Sequence, residues 1–213
     1  MKQKIYNLIV LDASGSMYDI ENEAIAGVVE TIQTIRVAQE ENENQEQLFS
    51  LVVFNGKRIA TVYDRMPIAK VSDFSKKDYQ PRDNTPLYDA MGDSITNLQR
   101  YINEDDNVLV TIITDGYENS SMEWNHQRIN QLVEDLKKKN WLFTYIGANQ
   151  DALAVARDMG IDHSMNFMAD SVGTKKMFLK EKLSRSALYS KLSSGKSFCL
   201  AKAEDYFVDE EDD

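Results

Sequence analysis

Two apolar, β-branched runs, each closing on an aspartate, constrain this chain more than any other feature. Ile5–Leu11 is interrupted only by Asn7 and stops at Asp12. Val108–Thr114 repeats the pattern and stops at Asp115-Gly116. A strand that is apolar at both alternating sets of positions has to be covered on both faces, as in the centre of a parallel sheet. Helical periodicity fills the intervening chain. A stripe of Ile20, Ala24, Val28, Ile32 and Ile35 marks a helix over about 19–39. Leu87, Met91, Ile95, Leu98 and Ile102 mark a second, and Ile129, Leu132, Val133 and Leu136 a third over 124–139. Further strands are expected at 48–54, 141–146 and 163–168, with a short helix over 152–159 closed by Gly160. This alternation predicts an open, mostly parallel α/β sheet.

One connection breaks the alternation. Asn55-Gly56 sits between two β-rich runs, 51–54 and 59–62. Such a pair favours a type I′ turn, with positive φ at both central residues, and predicts an antiparallel third strand at an edge. Residues 64–84, with Pro67 and Pro81, read as a long surface connection. Thr85-Pro86 then predicts a helix start, Thr85 as N-cap and Pro86 as first helical residue. A last helix is expected over 175–192, with Phe178, Leu179, Leu183, Ala187 and Leu188 inward. Residues 1–170 read as one domain, 171–203 as a helical extension packed on or near it, and 204–213 as an acidic, disordered tail.

Charge narrows the function classes. The net charge is −11, from 35 acidic and 24 basic residues. Seven of the acids lie in 204–213, leaving 28 against 24 in the body. No basic patch suggests a nucleic-acid partner, and no apolar stretch approaches the ~20 residues of a membrane span. The apolar run near Met1 stops at Asp12 rather than at a small-residue cleavage site, so it reads as a strand and not a leader. A single cysteine, Cys199, excludes an internal disulfide and a cysteine-based zinc site. It fits a reducing, cytoplasmic setting.

Three loops carry oxygen donors. The first holds Asp12, Ser14 and Ser16, the second Thr85, the third Asp115. None offers imidazole or sulfur, and hard oxygen donors suit Mg²⁺, with Mn²⁺ or Ca²⁺ as alternatives. Taken singly, each is as readily a cap or turn residue. His126 and His163 read as surface or packing residues. Tyr88, Tyr117 and Trp124 either ring the same face or pack locally, and Asp19, Asp83 and Asp89 lie close to the ligand loops in sequence.

Asp12-Ala-Ser14-Gly-Ser16 resembles the Asp-x-Ser-x-Ser element of the metal-ion-dependent adhesion site (MIDAS) of von Willebrand factor A (VWA) domains. Asn84-Thr85-Pro-Leu-Tyr-Asp-Ala90 is similar to the segment supplying that site's threonine, and Thr114-Asp115-Gly116 to the one supplying its last aspartate. The resemblance covers roughly residues 5–168. It implies a three-layer, Rossmann-like α/β/α fold with a six-stranded sheet of order 3-2-1-4-5-6 and one antiparallel edge strand. It also implies direct metal ligation by Ser14, Ser16 and Thr85, and ligation mainly through water by Asp12 and Asp115. The expected function is non-enzymatic: a protein partner contacts the metal through an aspartate or glutamate, within an intracellular complex. The resemblance further implies a setting beside chaperone-like ATPases, or in stress and modification systems, where stand-alone intracellular members of the family often work.

Two other functions compete for the same residues and fold. A metal-dependent phosphatase or hydrolase could use Asp12, whose place after the first strand resembles that of the nucleophile of haloacid-dehalogenase-type phosphatases, but the resemblance implies a second aspartate two residues on as general acid, where Ser14 stands. A dinucleotide enzyme lacks its G-x-G-x-x-G. The acidic tail has two sharper readings than disorder. It could lie against the basic residues of 175–191 (Lys175, Lys176, Lys180, Lys182, Arg185 and Lys191), or its carboxylates could enter the metal site of a neighbouring molecule.

Overall fold

Apolarity on both sides of the first strand is met by helices above and below it. In the computed structural model, which describes residues 2–148, 151–196, 198 and 205–207, β1 (Gln3–Asp12) sends Ile5, Ile9 and Leu11 to one face and Tyr6, Leu8 and Val10 to the other. Cys199 and most of the acidic segment 204–213 lie outside the described residues. A 3-10 turn leads into α1 (Glu21–Glu41). Then come β2 (Gln45–Asn55), β3 (Arg58–Pro67), α2 (Leu87–Gln99), β4 (Asn107–Thr114) and α3 (His126–Lys137). The described chain continues through β5 (Trp141–Ala148), α4 (Ala152–Asp158), β6 (His163–Phe167) and α5 (Ser171–Ser193). The sheet order is β3-β2-β1-β4-β5-β6, and only the β2–β3 pair is antiparallel. Helices α1 and α5 cover one face, and α2, α3 and α4 the other. Gly160, with φ of +77°, closes α4 as expected.

The hairpin forms, but not by the expected turn. Asn55 pairs with Arg58, so the loop residues are Gly56 and Lys57, and neither has positive φ. The Asn55 side-chain oxygen accepts from the backbone N–H of Lys57 at 3.0 Å and of Arg58 at 3.3 Å. It supplies the turn's acceptor and removes the need for a left-handed backbone. The 64–84 connection also differs from a surface loop, because β3 runs on to Pro67 and Ile68, Val71, Phe74 and Tyr79 are all buried on the α1 side.

The sharpest departure is in α5. Leu179 and Leu183 are 45% and 49% exposed, while Glu181 and Arg185 are buried. The inward face answers polar groups already in the sheet. Arg185 donates to Asn7 Oδ1 (3.0 Å) and Thr111 Oγ1 (2.9 Å), and its guanidinium pairs with Glu181 Oε1 at 2.6 Å. Tyr189 donates to Asn7 Oδ1 at 2.6 Å, and the other side of Asn7 donates to Gln47 Oε1 at 2.9 Å. Tyr206, from the acidic segment, is buried and donates to Glu181 Oε1 at 3.1 Å. Without Arg185, Asn7 Oδ1 and Thr111 Oγ1 would each lose a charge-assisted donor in the core, which is why a guanidinium rather than a leucine faces the sheet here.

Removing one member should therefore be expensive. Arg185→Met is expected to cost about 3–5 kcal/mol in urea unfolding, because Glu181 becomes an unpaired buried charge. The double variant Glu181→Leu/Arg185→Met should recover part of that loss, because it removes the buried charge but leaves Asn7 and Thr111 with only the Tyr189 and Thr144 hydroxyls as donors. A cost below about 1 kcal/mol for the single variant would show that the network is not intact in solution.

Candidate metal centre

Parallel pairing of β1 with β4 brings the two strand-ending aspartates to one end of the sheet. The chain leaves β1 toward α1 on one face and β4 toward α3 on the other. Connections that diverge in this way open a crevice at the carboxyl ends of the strands, the usual ligand position in open α/β sheets.

Asp12 is fully buried. Its Oδ1 accepts from the backbone N–H of Ser14 at 2.6 Å, and its Oδ2 from the Thr114 hydroxyl at 2.6 Å. The Asp12 backbone oxygen accepts from the Tyr79 hydroxyl at 2.8 Å. Asp115 is also buried and accepts from the Ser16 hydroxyl at 2.5 Å, and Ser14 and Ser16 place their hydroxyl oxygens 3.2 Å apart. Gly116 locates the remaining donor. A Cβ built there would lie 3.2 Å from Thr85 Oγ1, 3.5 Å from Ser16 Oγ and 3.8 Å from Ser14 Oγ. Three hydroxyls from two separate stretches of chain thus converge on one small space, backed by two carboxylates. All five residues singled out in the sequence meet here.

The loops that carry them are locked to each other. Gly15 N–H donates to the Asp83 carbonyl and Arg82 N–H to that of Ala13, each at 2.9 Å. Asp83 takes a left-handed φ of +61° in this crossing. Gly56 makes the approach possible, since a Cβ there would lie 2.8 Å from the Asn84 backbone nitrogen.

Thr85 is not the N-cap of α2. The helix starts at Leu87, with Pro86 in the cap position and no capping side-chain bond from it. The free donors are met from the chain following β4 instead. Glu118 accepts from Tyr88 N–H at 2.9 Å, and the Ser121 hydroxyl from Asp89 N–H at 3.0 Å. Asn119 accepts from Thr85 N–H at 2.9 Å. Asp89 returns the favour, accepting from the N–H groups of Met122, Glu123 and Trp124 at 2.7–2.9 Å. Capping across chain segments leaves the Thr85 hydroxyl available to the crevice.

Of the other residues considered, Trp124 packs on α2 against Gly92, with its N–H on Asp93. Tyr88 meets His126 edge-on, whereas Tyr117 is exposed. His163 lies by the acidic segment, accepting from Tyr206 N–H at 3.3 Å. Thr114, Tyr79, Glu118 and Asn119 were missed. Thr114 precedes Asp115 in the quoted motif and could have been found there; the other three act only through tertiary contact.

The electrostatics favour a cation. Burial pushes the Asp12 carboxyl up to about 6, against the pull of its hydrogen bonds from Thr114 and Ser14. Burial also raises Asp115, with the Ser16 bond opposing and nearby Asp19 adding to the rise. Two desolvated carboxylates without a cation are costly. Among the described residues no group of three His, Cys, Asp or Glu side chains converges to hold a metal. The donor set is two carboxylates and three hydroxyls, which fits a small hard ion.

The geometry above belongs to a known class: the chain adopts the VWA fold. It is similar to the SpRpn10 VWA domain, at 13% identity with a TM-score of 0.59, over 85% of this chain and 95% of that one. Proximal thread matrix protein 1 (PTMP1) from the mussel byssus matches at 13% identity and a TM-score of 0.61, over 84% of this chain and 45% of that one. A further structure of the mussel protein, with a zinc-occupied MIDAS motif, matches at 14% identity and a TM-score of 0.56, over 84% and 47%. No family model matches the sequence, and no curated protein does. Among the described residues no helix is long and apolar enough to cross a membrane.

A stability prediction follows from Asp12. Its pKa is higher folded than unfolded, so without divalent cations stability falls as pH rises from about 4 to about 6. The full cost, roughly 2–3 kcal/mol, stands at neutral pH. Asp12→Asn keeps the Ser14 contact and can donate to Thr114. In EDTA it should therefore melt higher than wild type at pH 7.5 and show a flatter profile between pH 4 and 6. A variant that melts lower at pH 7.5 would contradict this account.

Proposed function

We propose that this chain is a metal-ion-dependent protein-binding module that recognises an acidic residue of its partner. The observation that carries the reading is the convergence of the Thr85, Ser16 and Ser14 hydroxyls beside Gly116. In this reading Ser14, Ser16 and Thr85 hold Mg²⁺ directly, and Asp12 and Asp115 hold it through water. Both Asp12 oxygens already accept protein hydrogen bonds, which supports an indirect role. The zinc-occupied MIDAS motif of the mussel neighbour supports a divalent ion at this place in the fold. The all-oxygen donor set favours Mg²⁺, or Mn²⁺ or Ca²⁺, over zinc here.

When bound, the cation would supply a charge that carboxylates outside its direct ligand set leave poorly neutralised, and so an attractive position for an incoming carboxylate. The protein's own part is to fix the three hydroxyls and exclude other donors. Buried carboxylates behind them prevent the site from presenting a simple cationic patch. A cytoplasmic complex, with a chaperone-like ATPase as one class of partner, fits the absence of any disulfide pair in the sequence. A hydrolytic role for Asp12 finds little support, because a nucleophile needs an accessible oxygen and Asp12 offers none.

Thermal melts with added Mg²⁺ or Mn²⁺ test the metal, and acidic-peptide binding tests the partner chemistry. At a cation concentration 100 times its dissociation constant, wild type should gain about 2.7 kcal/mol. The double variant Ser14→Ala/Ser16→Ala should stay folded, lose that gain, and no longer bind the peptide. Peptide binding that persists undiminished in excess EDTA would overturn the proposal.

A further inference from the structure

The hydroxyls of Ser14 and Ser16 lie on a loop that leaves the end of β1, so the sheet itself sets where they stand. Thr85 has no such support. It lies between the long connection after β3 and the start of α2, in neither a strand nor a helix. Its place is set by bonds to the two other loops. On one side Gly15 N–H and Arg82 N–H tie residues 82 and 83 to the first loop. On the other side a single residue, Asn119, takes hold of both backbone groups of Thr85. Its side-chain oxygen accepts from Thr85 N–H at 2.9 Å, and its own N–H donates to the Thr85 carbonyl at 3.2 Å.

Asn119 is exposed, and an exposed asparagine in a turn ordinarily bonds within that turn. Here Glu118 meets the turn instead, accepting from Ser120 N–H, Ser121 N–H and the Ser121 hydroxyl at 2.7–2.9 Å. Glu118 and Ser121 also dock the segment on α2 through Tyr88 N–H and Asp89 N–H, and Asp89 holds its far end. Asn119 is thereby left on a fixed frame, with its side chain reaching 34 residues back along the chain. A threonine held by both backbone groups keeps little freedom, because its branched Cβ restricts χ1. Fixing the Thr85 backbone therefore fixes its hydroxyl.

Ligand rigidity decides between the two hard cations of biology. Mg²⁺ demands near-ideal octahedral geometry at about 2.1 Å, whereas Ca²⁺ accepts longer and less regular shells. We propose that Asn119 is a positioning residue for cation choice: by bracketing Thr85 it keeps the third hydroxyl from yielding to a larger ion, and so makes the site prefer Mg²⁺ to Ca²⁺. This inference rests on the metal-dependent reading above, and adds to it a residue that acts only through Thr85.

Two measurements on the full chain test it: amide hydrogen exchange by NMR in EDTA, and calorimetric titration with MgCl₂ and with CaCl₂. In wild type the Thr85 amide should exchange slowly, and Mg²⁺ should bind more tightly than Ca²⁺. Asn119→Ala should barely change the melting temperature in EDTA, since the side chain is exposed, but should speed Thr85 exchange about tenfold or more. It should weaken Mg²⁺ about tenfold and Ca²⁺ by less than about threefold. Asn119→Asp keeps the acceptor for Thr85 N–H. Its added charge strengthens both ions alike, so the ratio of Mg²⁺ to Ca²⁺ affinity, rather than either affinity, should return to the wild-type value. Asn119→Gln carries the amide one carbon further out and should lower the ratio as alanine does, which covers the case in which the alanine variant folds poorly. A merely structural asparagine would lower the melting temperature and leave the ratio unmoved. An unchanged ratio in the alanine and glutamine variants, or a wild type that binds both ions and favours Ca²⁺, overturns this proposal alone. A wild type that binds neither ion overturns the metal-dependent reading and this inference with it.

Discussion

The parallel pairing of β1 with β4 is the constraint on which the rest of this structure hangs. It aligns two strands that are buried on both faces, ends both in a carboxylate, and sends the chain away from them in opposite directions. The crevice, the burial of Asp12 and Asp115, and the need for donors around them all follow. Ser14 N–H, Thr114 and Ser16 are the local responses to two carboxylates placed where water is scarce, and the Tyr79 hydroxyl meets the Asp12 backbone carbonyl beside them.

Around that centre the loops hold each other rather than being held by their own helices. The start of α2 is capped by Glu118 and Ser121, some thirty residues on, and Asp89 of α2 in turn orders the chain that carries them. Thr85 is thus fixed through its backbone and spared the capping role its sequence suggests. The three hydroxyls are positioned by a closed circuit of contacts. Such preorganisation is what the proposed metal site would require.

The strands and the five candidate ligands were legible because each rests on a local signal: apolar runs for β1 and β4, and short oxygen-bearing motifs directly after them. Helix periodicity served nearly as well for α1, α2 and α3: the predicted stripes are buried except for Leu132, which is half-buried, and Ile102, which is half-buried beyond the end of α2. Legibility failed where a residue answers something distant. Leu179 and Leu183 read as inward by apolarity alone, but Asn7 and Thr111 needed donors and drew Arg185 into the core. Tyr79 looked like part of a surface loop until Asp12 required it. Asn55-Gly56 correctly announced a hairpin, yet its glycine serves the neighbouring Asn84 loop rather than a left-handed turn.

The Asn7 network also has a temporal side. Asn7 lies in the first strand, and its partner Arg185 follows 178 residues later. A growing chain made from the amino terminus can assemble β1, β2 and β4 while the partner of their buried amide is still unmade. Until α5 packs, that face is open to water, which can bond to Asn7 and Thr111. The last helix is therefore more than a cover: it exchanges water at the centre of the sheet for a guanidinium and a phenol that hold the same groups.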